Sequence, residues 1–272
     1  MQKISKETKI VICIISLLVC STIVGVYSQA NKALSSSSVS VLPKSSVLVL
    51  QIDSMISTVG TEWAPSIVDI VSSQLDEAKR DKSVKAVVLR VNSPGGTVGA
   101  SQEIYDSIIR FKETSKKPVV VSIMDIGASG AYWISLAADA IFAHPGSIVG
   151  SLGVITQTLD LTRVKDKYGV DVRTYKSGDN KDLLNPWRNT TRDEDEIIQV
   201  MLDNVHEQFK DVLIKHRDIS KAKAQMLADG RIFSGEIALR EGLIDVVGSF
   251  YDATQYAAKL AGVEDPKIIY PN

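Results

Sequence analysis

Three short runs, Val47 to Ile52 (VLVLQI), Ala86 to Val91 (AVVLRV) and Pro118 to Ile123 (PVVVSI), are β-branched and apolar on both faces of an extended chain. This pattern restricts the fold more than any other in the sequence. A strand with polar residues at alternate positions can leave one face in water, but a strand without them needs a covering layer on each side. The segments between the runs have helical spacing: Ile67, Ile70, Val71, Leu75 and Ala78 within Ile67 to Lys79, then Ile104, Ile108 and Ile109 within Gln102 to Lys112. Strand, helix, strand, helix, strand implies right-handed crossovers and a parallel sheet with helices packed on it, an α/β fold.

Downstream, Gly127 to Ala138 is expected as a small-residue helix, with Val149 to Thr156 and Val172 to Tyr175 as short strands. Thr191 and Glu194 form a capping-box signature that predicts a long amphipathic helix to about His216, with Val205, Phe209 and Val212 among its apolar positions. A helix from Ser220 to Ala228 ends at Asp229-Gly230, and Gly235 to Glu241, a strand-like Leu243 to Val247 and Tyr251 to Leu260 complete the body.

Ile10 to Tyr27 is uncharged throughout, long enough at about 1.5 Å per residue to cross most of a roughly 30 Å hydrocarbon layer. Lys3, Lys6 and Lys9 precede it and only Lys32 follows closely, so the positive-inside bias places residues 1–9 in the cytoplasm and the body outside. A retained anchor over 10–27 is favoured because the run exceeds an ordinary signal-sequence core. Cleavage after Ala30 and lipidation at Cys20 are the alternatives, Val19 being bulky for the latter. Residues 28–46 are Ser-rich and read as a flexible tether, leaving 47–272 as one folded domain.

With 31 Lys+Arg against 32 Asp+Glu there is no basic surplus to suggest a nucleic-acid partner. The 2 cysteines, Cys13 and Cys20, both fall in the apolar run, so neither a disulfide framework nor a cysteine zinc site is available to the body.

Two loops draw attention. Asn92-Ser93-Pro94-Gly95-Gly96 follows a buried strand and opens a helix, which aims backbone N–H groups at one point. Gly127-Ala128-Ser129-Gly130-Ala131 does the same, with small neighbours that let a substrate approach the Ser129 hydroxyl. Taken singly, each is equally an ordinary turn or helix cap. A nucleophilic serine needs a base. His206 and His216 lie in the long helix as solvated or packed residues, whereas His144 in Ala143-His144-Pro145-Gly146 is a candidate, as are Lys176 and Lys181 in the turn-rich stretch after Val172 to Tyr175.

The combination is more specific than its parts. Ser93-Pro94-Gly95-Gly96, Gly127 to Tyr132, Gly150-Ser151-Leu152-Gly153-Val154, Ser177-Gly178-Asp179-Asn180-Lys181-Asp182 and Asp229 to Gly235 with Gly242-Leu243-Ile244-Asp245 resemble, in order and spacing, the signal peptide peptidase A (SppA) family over Val47 to Gly248. The resemblance implies a ClpP/crotonase-like superhelix of strand-strand-helix units and a membrane-anchored serine protease without metal or organic cofactor. Its expected substrates are signal peptides left in the membrane, and its expected partners are lipid and further copies of itself in a ring. It places the nucleophile on Ser129 and the general base on Lys181, 52 residues on, with one protomer's serine typically completed by a neighbour's lysine. Gly95, Gly96 and Gly130 fall on the oxyanion-hole positions, and Ser151 beside the site in a supporting role. His144 departs from the pattern. The rivals are a related ClpP-class protease acting on stomatin-type membrane proteins, a crotonase-type CoA enzyme, and a peptide-binding scaffold without catalysis.

Overall fold

The computed structural model describes residues 45–60 and 64–271. The Ile10–Tyr27 run, both cysteines and the tether up to residue 44 lie outside the described residues. Among the described residues no helix is long and apolar enough to cross a membrane.

The three apolar runs form the centre of the sheet. They are β1 (Ser46–Ile52), β2 (Val84–Ser93) and β3 (Val119–Ala128), separated by α1 (Ile67–Arg80) and α2 (Val98–Ser115). β1 pairs with β2 and β2 with β3, all parallel. Ser46, read above as tether, is the first residue of β1, fully buried with its Oγ donating to the Ser83 carbonyl at 3.1 Å. Alternate residues of each strand enter different cores, which explains the two-faced apolarity of the runs. Leu48, Leu50 and Ile52 pack on the side of Val71, Leu75, Ile104 and Ile108. Val47 and Val49 pack with Val88 and Val120 against Ala253, Ala257 and Ala258 of a late helix, α8 (Phe250–Leu260).

The expected helix Gly127–Ala138 is a correction. β3 continues to Ala128, paired through Ile126–Ala128 with a further strand, and only Gly130–Ser135 is helical (α3). Small residues satisfy either conformation, and a free ladder edge decided for strand. After α3 come β4 (Ala140–Ala143) and β5 (Ile148–Gly150), both parallel to β3 on the same edge: β4 takes Val120–Ile123 and β5 takes Ile126–Ala128.

The expected strand Val149–Thr156 ends at Gly150 because Ser151 has a φ of 52°. Val172–Tyr175 joins no ladder, the outer edge of β5 being occupied by the antiparallel β6 (Ile232–Ser234). The region holds instead a short helix, α4 (Thr162–Tyr168), with no buried residue. The capping box forms as expected: Thr191 Oγ1 accepts from the Glu194 amide, Glu194 accepts from the Thr191 amide, and α5 runs the 25 residues Arg192–His216. α6 (Lys221–Leu227), α7 (Gly235–Arg240), β7 (Val246–Val247) and β8 (Lys267–Ile269) complete the chain, β7 being far shorter than Leu243–Val247.

Candidate active site

The carboxyl ends of β2, β3 and β5 converge because the strands are parallel, with a register shift between β2 and β3 after Val91. Ser93 pairs with Gly127 and Ala128 with Gly150, so the loops that follow, Pro94–Gly96, Ser129 and Ser151, emerge side by side. Ser129 makes the strand-to-helix turn in one residue, at φ 52° and ψ −125°, a combination L-residues seldom adopt. Its amide donates to the Gly150 carbonyl at 2.8 Å, its carbonyl accepts from the Tyr132 and Trp133 amides, and its side chain caps nothing. A strained strand-to-helix turn holding up a serine hydroxyl that has no hydrogen-bond partner among the described residues is the geometry of a nucleophile elbow.

The glycines around it are dictated by close approach. Gly95 has φ 101°, and a Cβ there would lie 2.7 Å from the Gly130 nitrogen and 2.8 Å from the Ser129 Cβ. A Cβ on Gly96 would lie 1.9 Å from the Ile56 oxygen, because Ile56 bridges to this loop: its amide donates to the Gly95 carbonyl and its carbonyl accepts from Thr97, each at 2.9 Å. These bonds turn the Gly96 amide away from Ile56. The Gly95 amide donates to Ser93 Oγ at 3.2 Å and is not available to a ligand. The amides of Gly96 and Gly130 donate to no acceptor among the described residues, and the Gly96 nitrogen lies 3.2 Å from where a Gly130 Cβ would stand.

Two adjoining clefts of about 360 Å³ each border Ser129. One is largely apolar, walled by Met55, Val98, Trp133, Ile155, Val205 and Phe209. It exists because α5 leans on α3 through the Phe209 and Trp133 rings, whose centroids are 4.8 Å apart. The other is more polar, bordered by Ser151, His206 and Asp229. Arg231, paired to Asp229, holds that carboxyl at about 2. His206, read from the sequence as solvated or packed, thus stands at the cleft, with its Nε2 buried and unpartnered among the described residues. Val205 and Phe209 were visible in the sequence only as apolar positions of the long helix, and Trp133 was not singled out within the expected small-residue helix.

The other expected site residues lie elsewhere. His144 lines neither cleft; its amide donates to Ser147 Oγ at 3.0 Å. Lys181 lines neither cleft and is exposed, its amide donating to the Gly178 carbonyl at 3.2 Å. Lys176 is committed to an ion pair with Asp182 at 2.6 Å.

Comparison with known proteins bears out the resemblance. The family profile for Peptidase family S49 matches residues 111–264, and that for Clp protease matches 44–149. The chain belongs to peptidase family S49. A Methanocaldococcus jannaschii protein provisionally named a protease is 40% identical over 195 residues, 72% of this chain and 62% of that protein. A Synechocystis protein, also provisionally named a protease, is 40% identical over 69% of this chain and 67% of its own length. An Enterococcus faecium protein provisionally named signal peptide peptidase SppA is 36% identical over 72% of this chain and 57% of its own length. The match therefore takes in less than two thirds of the first and last of these relatives.

Proposed function

We propose that this S49-family chain is a serine endopeptidase in which Ser129 attacks the scissile carbonyl and the amides of Gly96 and Gly130 receive the developing oxyanion. The observation that carries this reading is the Ser129 hydroxyl on a strained turn beside two backbone donors, all three without a hydrogen-bond partner among the described residues. Gly95, its amide engaged by Ser93, shapes the turn rather than donating. Ser151 borders the polar cleft in a supporting position.

Lys181 supplies the general base, from a second copy of the chain. The exposed Lys181 turn is tied to the first turn of α5 at Glu194, whereas Val205 and Phe209 reach the cleft 11 and 15 residues further along, about 17 and 22 Å at 1.5 Å per residue. A lysine acts as base only when neutral, and a neighbour that covers the turn and excludes water favours that form. Lys181 then takes the Ser129 proton, returns it to the leaving amine, and activates the water that releases the acyl group. The apolar cleft suits an apolar side chain of the peptide. That chemistry, with the run at 10–27 as membrane anchor, fits degradation of signal peptides left in the membrane, outside the cytoplasm.

The test is hydrolysis of a fluorogenic apolar peptide by the full chain in detergent. Ser129→Ala and Lys181→Ala each abolish turnover, His144→Ala does not, and mixing Ser129→Ala with Lys181→Ala subunits restores part of the activity. Silence of the mixture would place both groups in one chain; an active Ser129→Ala would remove the serine mechanism.

A further inference from the structure

The turn that carries Lys181 contains no buried side chain of its own, yet it is heavily anchored. Its anchor is Arg188. The guanidinium donates through Nε to Asp182 Oδ2 at 2.9 Å and through Nη2 to Asp182 Oδ1 at 2.9 Å, and also meets the Asp182 carbonyl at 3.1 Å. On its other side it donates to both Glu194 oxygens, at 2.8 and 2.5 Å. Glu194 is 4% exposed and is also the capping-box residue of α5, so it is fixed to the helix by its backbone and by the Thr191 amide. Arg188, aided by Thr191, holds the Glu194 carboxyl at about 2, and it holds Asp182 well below the usual carboxylate range with help from Lys176.

Asp182 is the residue immediately after Lys181. Lys176 adds a second strut, donating to Asp182 Oδ1 at 2.6 Å and to the Asp179 carbonyl at 2.7 Å, and Asn185 Nδ2 reaches Asp182 Oδ2 at 3.3 Å. The chain on either side is tied down as well, Leu161 donating to the Pro186 carbonyl at 2.7 Å and Thr158 to the Leu184 carbonyl at 2.9 Å. A planar five-donor fork is the one side chain able to hold two carboxylates in fixed mutual orientation; a lysine in its place can satisfy one of them as a point charge.

We propose that Arg188 is the positioning residue for Lys181, clamping Asp182 to Glu194 so that the lysine projects from a rigid mount on the end of α5. This rests on the reading of Lys181 as the general base. The mount matters because the base must reach a serine on a different body, and a displacement of about 1 Å in such a group costs on the order of a hundredfold in rate.

The experiment is the pH profile of kcat and KM for peptide hydrolysis by the full chain in detergent, for wild type, Arg188→Ala, Arg188→Lys, Asp182→Asn and Lys181→Ala, with unfolding temperatures taken in parallel. Arg188→Ala and Asp182→Asn are expected to lower kcat by about a hundredfold with KM within about twofold, and to move the limb of the profile set by the base. Arg188→Lys recovers only part of the loss and keeps the wild-type unfolding temperature within a few degrees. Wild-type kcat in Arg188→Ala, full rescue by lysine, or a loss that tracks the unfolding temperature with an unmoved pH profile would each overturn the proposal while leaving Lys181 as base. A fully active Lys181→Ala would instead remove the base assignment and the positioning role with it.

Discussion

Replacing Ser129 by glycine should make the protein more stable than replacing it by alanine. Ser129 sits at φ 52° and ψ −125°, and holding a residue with a Cβ in such a region costs about 1–3 kcal/mol. Glycine enters it without strain but returns roughly 0.4–1 kcal/mol through the greater freedom of its unfolded chain. The serine side chain caps nothing, so alanine and glycine lose the same hydroxyl and differ only in the Cβ. The balance favours Ser129→Gly by about 1 kcal/mol, or about 2–4 °C in unfolding temperature for a domain of this size. Calorimetry on the two variants, both expected to be inactive in peptide hydrolysis, reads the difference directly. A glycine variant that unfolds at or below the alanine variant would mean that the turn is not strained, and the stored cost that holds a nucleophile up would have to be sought elsewhere.

Two further outcomes follow from groups away from the cleft. The Tyr105 hydroxyl meets His216 Nε2 at 2.5 Å, and burial, then the nearby Lys215, Lys112 and Arg217 charges, push the His216 pKa below its ordinary value. The unfolded chain therefore takes up a proton that the folded one refuses, so stability falls as pH drops below about 6.5, and His216→Gln, which keeps an acceptor, should flatten that slope in melts across this range; equal slopes would refute it. Tyr132 is fully buried and donates to the Leu243 carbonyl at 2.6 Å, so Tyr132→Phe leaves that oxygen unpaired and should cost about 2 kcal/mol, roughly 4–8 °C, a loss below about 1 °C being the contrary result.

The centre of the fold was legible in the sequence because burial on both faces leaves a strand few polar positions: β1, β2 and β3 were placed to within a few residues at their amino ends. The long helix was legible for a different reason, its first turn being written in side chains that bond the backbone locally, Thr191 and Glu194. What failed was decided by neighbours. Ile126–Ala128 became strand because β5 offered an edge, and Val172–Tyr175 did not because β6 had taken the one beyond it. At the site, the serine and glycines were readable as a motif, but the apolar cleft depends on Phe209 meeting Trp133 across 76 residues, which helical periodicity alone cannot anticipate. Arg188 was missed because a loop arginine reads as solvated until Asp182 and Glu194 are seen to share it.

β3 has consequences for how this protein can change over evolutionary time. Its stem, Val120–Ile123, answers to β4, and through it to β7 and α8, while its tip, Ile126–Ala128, answers to β5. Substitutions that repack the Phe142 and Tyr256 side of the molecule act on the stem, and those that reshape the approach to Ser129 act on the tip. Met124 and Asp125 between them pair with neither β4 nor β5, so the two ladders are separate, yet Trp133 and Phe209 of the cleft wall share one buried core with Val121 and Ile123 of the stem, so a lineage that exchanges those two must repack part of the core that keeps the chain folded.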